Sequence, residues 1–452
     1  MDIAVLGLGH VGSVAAACLA EAGHRVVGID IDERRVQSLA KGKAGFYEPD
    51  LDPLLEAMLS AGSLRFEALG NVQALRAEVA VIAVGTPPQP NGRADLAQVK
   101  AALGWIAERG RGETLVVMKS TLPPGAGRML AQQYGIPYVA SPEFLRQGQA
   151  VNDWRDPYRV VIGAEDSRSV EAAKELYTSV DTPLLVTDIT TAEMIKYASN
   201  AFLSTKISFI NEIANLCDTI GADIEGVVAG MSLDPRIGPS FLSAGIGYGG
   251  SCFPKDVRAL ESLSALNGYS CELLRAVISV NNRQRLLPVH ILRRELGPLN
   301  GRHIAILGLS FKPGTDDVRE SPALDIIAAL LEEGAHVRAY DPLVRRWCSQ
   351  ELPADVRYAE SPRDALSGAE AAVLCTEWEE FLRLDWQDLR PAMQPPRLLL
   401  DGRNALQPDL LRGLGYRYVA IGRGARPPDR AVDSSLSDGR LSAAGQGAIQ
   451  WR

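Results

Sequence analysis

A short apolar run ending in a glycine turn occurs twice in this chain, and the repeat limits the architectures open to it. IAVLGLG at 3–9 matches IAILGLS at 304–310. EAGHRVVGID at 21–30 matches EEGAHVRAYD at 332–341, each ending in an aspartate after a strand-like run. EVAVIAV at 78–84 has a counterpart in EAAVLCT at 370–376. The second copy is longer after its first strand, where FKPGTDDVRES is inserted. In the first copy IAVLGL, VVGID, VAVIAVG and LVVMKS read as buried strands bounded by Gly, Asp or Ser, with helical patterns between them. Such alternation predicts parallel sheets covered on both faces. The 452 residues are enough for two or three domains.

Between the two copies, Thr190 to Gly221 carries apolar residues at helical spacing. Thr190 and Glu193 form an S/T-x-x-E pattern that predicts a capping box at its start, and Gly221 marks its end. The fold class predicted is α/β: two doubly wound Rossmann-like domains joined by a long central helix. A long helix between lobes is a natural dimer surface. The last stretch, 425–452, is rich in Pro, Gly, Ser, Asp and Arg without apolar periodicity and is expected to be disordered.

The formal net charge of −8 argues against a general nucleic-acid surface, which needs a basic excess. The six cysteines are scattered without a CxxC pair, and no HExxH spacing occurs, so neither a disulfide framework nor a metal is expected. Reduced thiols point to a cytoplasmic location. The opening MDIAVLGLGH lacks a basic n-region and reads as a first strand rather than a signal peptide. No apolar run is long enough to span a membrane.

Gly7-Leu-Gly9-His-Val-Gly12 follows a predicted strand and opens a predicted helix. Gly7 permits the tight turn, Gly9 lets the backbone approach a pyrophosphate, and Gly12 lets helix and strand pack closely. The helix N-terminus then faces the anion. Asp30 ends the second strand, where a carboxylate accepts from a ribose diol and repels a 2′-phosphate. This favours NAD, with Arg35 nearby leaving NADP open. A structural glycine turn is the plain alternative. The domains expected are an NAD-binding domain at 1–195, a central helical dimerisation region at 196–295, a C-terminal nucleotide-sugar-binding domain at 296–424, and the tail at 425–452.

GYGGSCFPKDVRAL at 247–260 is the most informative segment. Gly247, Gly249 and Gly250 suggest a loop that a substrate approaches closely. Pro254 suits the first turn of the following helix, so Cys252 sits at or just before a helix N-terminus. The positive end of that helix, with Lys255, is expected to favour the thiolate. Asp256 lies within a turn and is placed to handle a proton or position a water. The plain alternative for any single cysteine is a small buried hydrophobe.

These residues resemble the UDP-glucose/GDP-mannose dehydrogenases. The likeness runs from Met1 to about Ala420 and rests on GLGHVG, VGTP, KSTLPPG, SPEFLRQG, EMIKYASNAF, GGSCFPKD, LGLSFKPGTDDVRES and DGRN. It implies a nucleotide-hexose substrate, two NAD per turnover and a homodimer built on the central helix. It implies Cys252 as nucleophile, Lys196 and Asn200 around the oxyanion and its water, and Asp256 and Glu143 as acid/base groups. Gly7, Gly9, Val11, Gly12, Asp30, Arg35, Thr86, Thr121, Gln147, Lys255 and Arg319 are implied on the cofactor. Phe144, Leu145, Lys196, Asn200, Phe241, Leu242, Ser243, Ala244, Gly245, Gly249, Lys312 and Arg403 are implied on the substrate, with Arg236 reaching from a neighbouring subunit.

Two positions depart from the family pattern: His10 stands where an aromatic is common, and Gln147 where a glutamate is common. The stretches FLSAGIGYGGSCF and RDPYRVVIG, with Phe253 after the cysteine, resemble the UDP-glucose branch. The activity implied is four-electron oxidation of UDP-glucose to UDP-glucuronate through a Cys252 thiohemiacetal and thioester. GDP-mannose and UDP-amino sugars are the alternatives by the same mechanism. A non-catalytic NAD- or nucleotide-binding regulator is another, although a degenerate copy would be expected to lose some of Cys252, Lys196, Asn200 and Asp256. A one-step alcohol dehydrogenase or epimerase would not need a cysteine in a glycine loop.

Overall fold

The computed structural model describes residues 1–344 and 355–424. The tail expected to be disordered, and Cys348, lie outside the described residues. Eight strands form the first sheet: β1 (Asp2–Leu6), β2 (Arg25–Asp30), β3 (Leu64–Ala68), β4 (Val79–Ile82), β5 (Leu115–Met118), β6 (Tyr138–Ala140), β7 (Val160–Gly163) and β8 (Leu184–Thr187). Their order is β3-β2-β1-β4-β5-β6-β7-β8. Six form the second: β9 (His303–Leu307), β10 (His336–Tyr340), β11 (Arg357–Tyr358), β12 (Ala371–Leu374), β13 (Leu398–Asp401) and β14 (Arg417–Ala420). Their order is β11-β10-β9-β12-β13-β14. Each sheet reverses direction of growth beside its first strand, between β1 and β4 and between β9 and β12. That is the switch point at which doubly wound sheets open a ligand crevice.

The sequence repeat is a structural one. Gly7 N donates to Ile29 O at 2.9 Å, and Gly308 N donates to Tyr340 O at 2.8 Å. Leu8 N donates to Asp30 Oδ2 at 2.7 Å, and Leu309 N to Asp341 Oδ2 at 2.8 Å. Both glycines have positive φ, 87° and 92°, a backbone state that excludes most other residues. The copies diverge next. His10–Glu21 begins its helix at once, whereas the second copy runs through residues 310–321 before Pro322–Glu332.

One pairing departs from the parallel expectation. β6 meets β7 at a single antiparallel pair, Ala140 with Gly163, while β7 and β8 pair in parallel. The segment 141–149 leaves the sheet edge to build a wall of the site, so β7–β8 joins as an appended parallel unit.

The central strands are dry, whereas β8 at one edge is exposed. Val5, Val81, Val117 and Val139 on one face, and Ala4, Ile82 and Val116 on the other, are essentially inaccessible. Burial on that scale contributes about 1.5–3 kcal/mol for each Val or Ile side chain.

The central helix is unbroken from Ile189 to Ile220 and packs against Phe253–Leu266 and Glu272–Leu296. Gly221, with φ 78°, terminates it as expected. The predicted capping box does not form. Asp188 is the N-cap, accepting from Thr191 N at 3.0 Å and from Thr191 Oγ1 at 2.5 Å. A carboxylate two residues earlier outcompetes the Thr190 hydroxyl, and Glu193 turns to another helix. The inward face of this helix is polar: Lys196, Asn200, Ser204 and Asn211 are all buried. No described helix is long and apolar enough to cross a membrane.

Candidate active site

Cys252 is the N-cap of the helix Phe253–Leu266, with Pro254 in its first turn, as the sequence predicts. The loop before it is held from behind by side chains of Glu272–Leu296. Asn281 accepts from Tyr248 N at 2.9 Å and donates to Tyr248 O at 3.1 Å. Gln284 donates to Gly245 O at 2.7 Å. Asn211 of the central helix accepts from Gly245 N at 2.9 Å.

The glycines of this loop are required by protein rather than left open for a ligand. A Cβ on Gly249 would lie 2.1 Å from Glu320 O, and one on Gly250 would lie 2.8 Å from the Phe311 ring. The second lobe thus presses directly on the cysteine loop.

Two buried polar pairs face the cysteine. Lys196 Nζ lies 3.1 Å from Glu143 Oε1, and Glu143 Oε2 accepts from Leu145 N at 2.6 Å. Asn200 Nδ2 donates to Asp256 Oδ2 at 2.6 Å, and Lys255 Nζ lies 2.5 Å from Asp256 Oδ1. Lys196 and Asn200 are one helical turn apart, which is why one face presents both. Burial alone would raise the Glu143 carboxyl; the Lys196 charge, the Leu145 amide and the Lys196 hydrogen bond outweigh it and hold it below the usual range. Burial opposes the charge on Lys196, but Glu143, Cys252 and Asp256 together keep its affinity for the proton above normal.

Burial works against the expected thiolate. Cys252 is open to solvent at its surface, yet protein atoms crowd around it and desolvate the thiol. That burial pushes its thiol up; Lys196 pulls it down, Glu143 and Asp256 push it up again, and Lys255 has the smallest effect. Lys255 is weak because its ammonium is already held by Asp256.

The glycine turn fits a dinucleotide. A Cβ on Gly12 would sit 1.8 Å from Gly7 O, whereas one on Gly9 would have nothing within 4 Å. Open space therefore lies in front of the N-terminus of His10–Glu21, where a pyrophosphate is favoured. Val11 is half-buried in its first turn and Thr86 is buried beyond β4. Asp30 is engaged by Leu8 N and by Arg35 Nη1, the latter at 3.0 Å, so Arg35 neutralises its carboxylate. Thr121 lines a small cavity with Ser120, Glu193 and Lys196.

Both departures from the family pattern have local partners. Gln147 Nε2 donates to Asp317 Oδ2 at 3.0 Å, and Arg319 holds the same carboxylate at 2.6 Å. A glutamate at 147 would set two carboxylates against each other, so glutamine suits Asp317. His10 Nε2 lies 2.6 Å from Glu48 Oε2, and Glu48 also accepts from Gly148 N and Ala150 N, each at 2.7 Å. His10 thereby ties the glycine turn to the SPEFLRQG segment.

From the second lobe, Lys312 reaches the electrostatic range of Cys252, and burial lowers its proton affinity. Arg403 donates to Cys375 O at 2.7 Å and to Gly247 O and Phe311 O at 3.3 Å. Phe144 carries the Arg159 guanidinium 3.9 Å over its ring and Lys196 Nζ at 5.3 Å. Phe241 is exposed at φ 63° and Ser243 is exposed, while Leu242 and Ala244 are buried. Arg236 is not brought in: its side chain is 88% exposed and, among the described residues, pairs with Asp234 alone.

Sequence reasoning missed Glu48, Lys119, Asn281 and Gln284. Lys119 is buried, 3.2 Å from Ser141 Oγ and over the rings of Trp154 and Tyr177. Asn281, Gln284 and Arg285 stand at i, i+3 and i+4, a polar helical stripe that could have flagged them. Glu48 carries no local signal, because its partners are distant in the chain.

Residues 1–181 match the NAD binding domain of the UDP-glucose/GDP-mannose dehydrogenase family, 190–283 its central domain and 305–408 its UDP binding domain. The chain is 42% identical over 440 residues to UDP-glucose 6-dehydrogenase YwqF of Bacillus subtilis, covering 96% of this chain and 100% of that protein. It is 42% identical over 443 residues to UDP-glucose 6-dehydrogenase of Pseudomonas aeruginosa, covering 94% and 98%. The solved UDP-glucose dehydrogenase of Pyrobaculum islandicum superposes with a TM-score of 0.86 at 37% identity, covering 94% and 98%. With all three family domains matched in order along its length, this chain belongs to the UDP-glucose/GDP-mannose dehydrogenase family, enzymes that use NAD to oxidise nucleotide sugars.

Proposed function

We propose that the cleft oxidises the primary alcohol of UDP-glucose to the carboxylate of UDP-glucuronate, with Cys252 as covalent nucleophile. The observation that carries this reading is the convergence of a helix-capping cysteine with two buried pairs, Lys196–Glu143 and Asn200–Asp256. The names of the relatives support UDP-glucose as the sugar.

NAD, when bound at the glycine turn, supplies a hydride acceptor, once for each of two oxidations. The chain's own groups do the rest. The alcohol proton passes to the Glu143 carboxylate, and the Lys196 charge stabilises the negative charge that develops on the sugar oxygen. The Cys252 sulfur then bonds to the aldehyde carbon while its proton passes to the aldehyde oxygen. The resulting thiohemiacetal gives up its hydroxyl proton to Asp256 along with the second hydride and becomes a thioester. Water, positioned by Asp256 and Glu143, cleaves the C–S bond, releasing the acid and returning the thiol. Covalent capture keeps the aldehyde from escaping.

The domains follow as an NAD-binding lobe, a central helical region and a nucleotide-sugar lobe. The working form is a homodimer. Phe202, Phe209 and Leu216, seven residues apart on the central helix, are 64%, 48% and 52% exposed and form an apolar seam suited to a second copy. In that dimer Arg236 of each chain serves its neighbour's cleft. A thiol nucleophile that must stay reduced suits a cytoplasmic location.

The test is stoichiometry. Limiting UDP-glucose with excess NAD should yield two NADH per sugar. One NADH would exclude the thioester route, and none would void the sugar assignment, making GDP-mannose and UDP-amino sugars the next substrates.

A further inference from the structure

Glu193 is a buried carboxylate that the chemistry above does not use. It lies on the central helix three residues before Lys196, 5% exposed, and spends both oxygens on another element. Its Oε2 accepts from Gly125 N at 2.7 Å and its Oε1 accepts from Gly127 N at 2.9 Å. Gly125 is the N-cap of the helix Ala126–Tyr134, and no side chain of that helix caps it. The capping carboxylate therefore comes from a residue 66 positions away in Gly127's count.

The segment that this clamp holds is KSTLPPG. Its other end is fixed by Ser120, whose Oγ donates to Val84 O at 2.7 Å. Thr121 lies between the two anchors and shares a small cavity with Glu193 and Lys196. The packing leaves no slack: a Cβ on Gly127 would fall 2.4 Å from Glu193 Oε1 and 2.5 Å from Tyr138 Oη. We infer that Glu193 is a positioning residue for the oxidation: by capping Ala126–Tyr134 it sets the Thr121 segment against the helix that carries Lys196 and Asn200, and so shapes the cofactor side of the cleft.

A carboxylate suits this task in a way an amide does not. It offers two acceptor oxygens, whereas glutamine would turn an NH2 group toward one of the two backbone N–H donors. Protonation has a related effect, because one oxygen becomes a donor. Burial pushes the Glu193 carboxyl up to about 8, against the Gly125 and Gly127 amides and Arg128, with Asp188 adding to the rise. Tyr138 from β6 and Tyr197 from the same helix are the other titratable groups that feel it, and Lys196 borders the shared cavity. The clamp is complete above that value and loosens below it.

The inference rests on the reading that Thr121 faces the cofactor, so affinity for NADH is measured without sugar. Glu193→Gln is expected to weaken NADH binding about tenfold at about pH 9, the cost of one buried N–H left unsatisfied. The difference from wild type should shrink as pH falls below about 8. Amide exchange at Gly125 and Gly127 should accelerate, while the sugar KM changes much less than the NAD KM. Gly127→Ala, which forces the same contact apart from the other side, should reproduce the defect. Equal NADH affinity in a folded Glu193→Gln protein at about pH 9 would overturn the inference, as would a loss independent of pH. Thr121→Ala separates the two readings. If it leaves NADH binding intact while Glu193→Gln accelerates exchange, the clamp stands and the cofactor placement fails.

Discussion

Lys196 and Glu143 form an ion pair of 3.1 Å with both side chains buried, and each holds the other in its charged form. The pair brings together the central helix and the segment after β6, 53 residues apart in sequence. Cys252 and Asp256 add to the field on Lys196, so the lysine is the electrostatic centre of the cleft.

Lys196→Met should therefore leave Glu143 buried and unpaired, at a cost of about 3–5 kcal/mol in urea unfolding at neutral pH. Lys196→Met with Glu143→Gln should recover most of that stability and none of the activity. The sign with pH is fixed by Glu143, whose folded proton affinity is depressed. Its contribution is present above its ordinary value of 4.5 and is lost as pH falls through the lower folded value. Without Lys196, burial raises the lone Glu143 carboxyl above 4.5, so the gap between wild type and Lys196→Met should be widest above that raised value and shrink as pH falls through it. A gap that does not change with pH would show that the charge pair is not its source.

Alkylation of Cys252 should report its raised thiol. Inactivation by iodoacetamide should keep accelerating beyond pH 9.0, the ordinary thiol value, because only the thiolate reacts. Lys196→Met should move the profile further up, and Lys255→Met should move it least. A plateau below 9.0 in the wild-type enzyme would contradict the burial argument.

The two glycines of the first turn should behave oppositely. Gly12→Ala places a Cβ 1.8 Å from Gly7 O and should disrupt the turn, lowering the melting temperature and abolishing NAD binding together. Gly9→Ala meets no protein atom within 4 Å and should fold almost normally, yet lose NAD affinity because its methyl enters the space in front of the helix. Calorimetry of each variant, with and without NAD, separates the two effects.

The central helix supplies a test of assembly. Phe209→Glu should convert a dimer to monomer by size-exclusion chromatography with light scattering, and the monomer should turn over poorly. Arg236→Ala removes an exposed, solvent-screened pair with Asp234, so its effect on stability should be small. A sugar KM that rises about tenfold or more in that variant would mark Arg236 as serving a neighbouring cleft.

The sequence by itself determined the two doubly wound lobes, the long helix, the glycine turn and the position of Cys252 at a helix start. Each of these is a local matter: strand and helix periods, glycines with positive φ, and Pro254 in a first turn are written in adjacent residues. Tertiary structure decided the rest. Whether Glu193 capped its own helix or another depended on Asp188 and on where Gly125 and Gly127 came to lie. The thiol of Cys252 was raised rather than lowered because burial is a property of the packed cleft, and because Asp256 had already engaged Lys255. The meaning of Gln147 required Asp317, 170 residues away, and that of His10 required Glu48. Charge balance and desolvation depend on distances in space, which no spacing along the chain records.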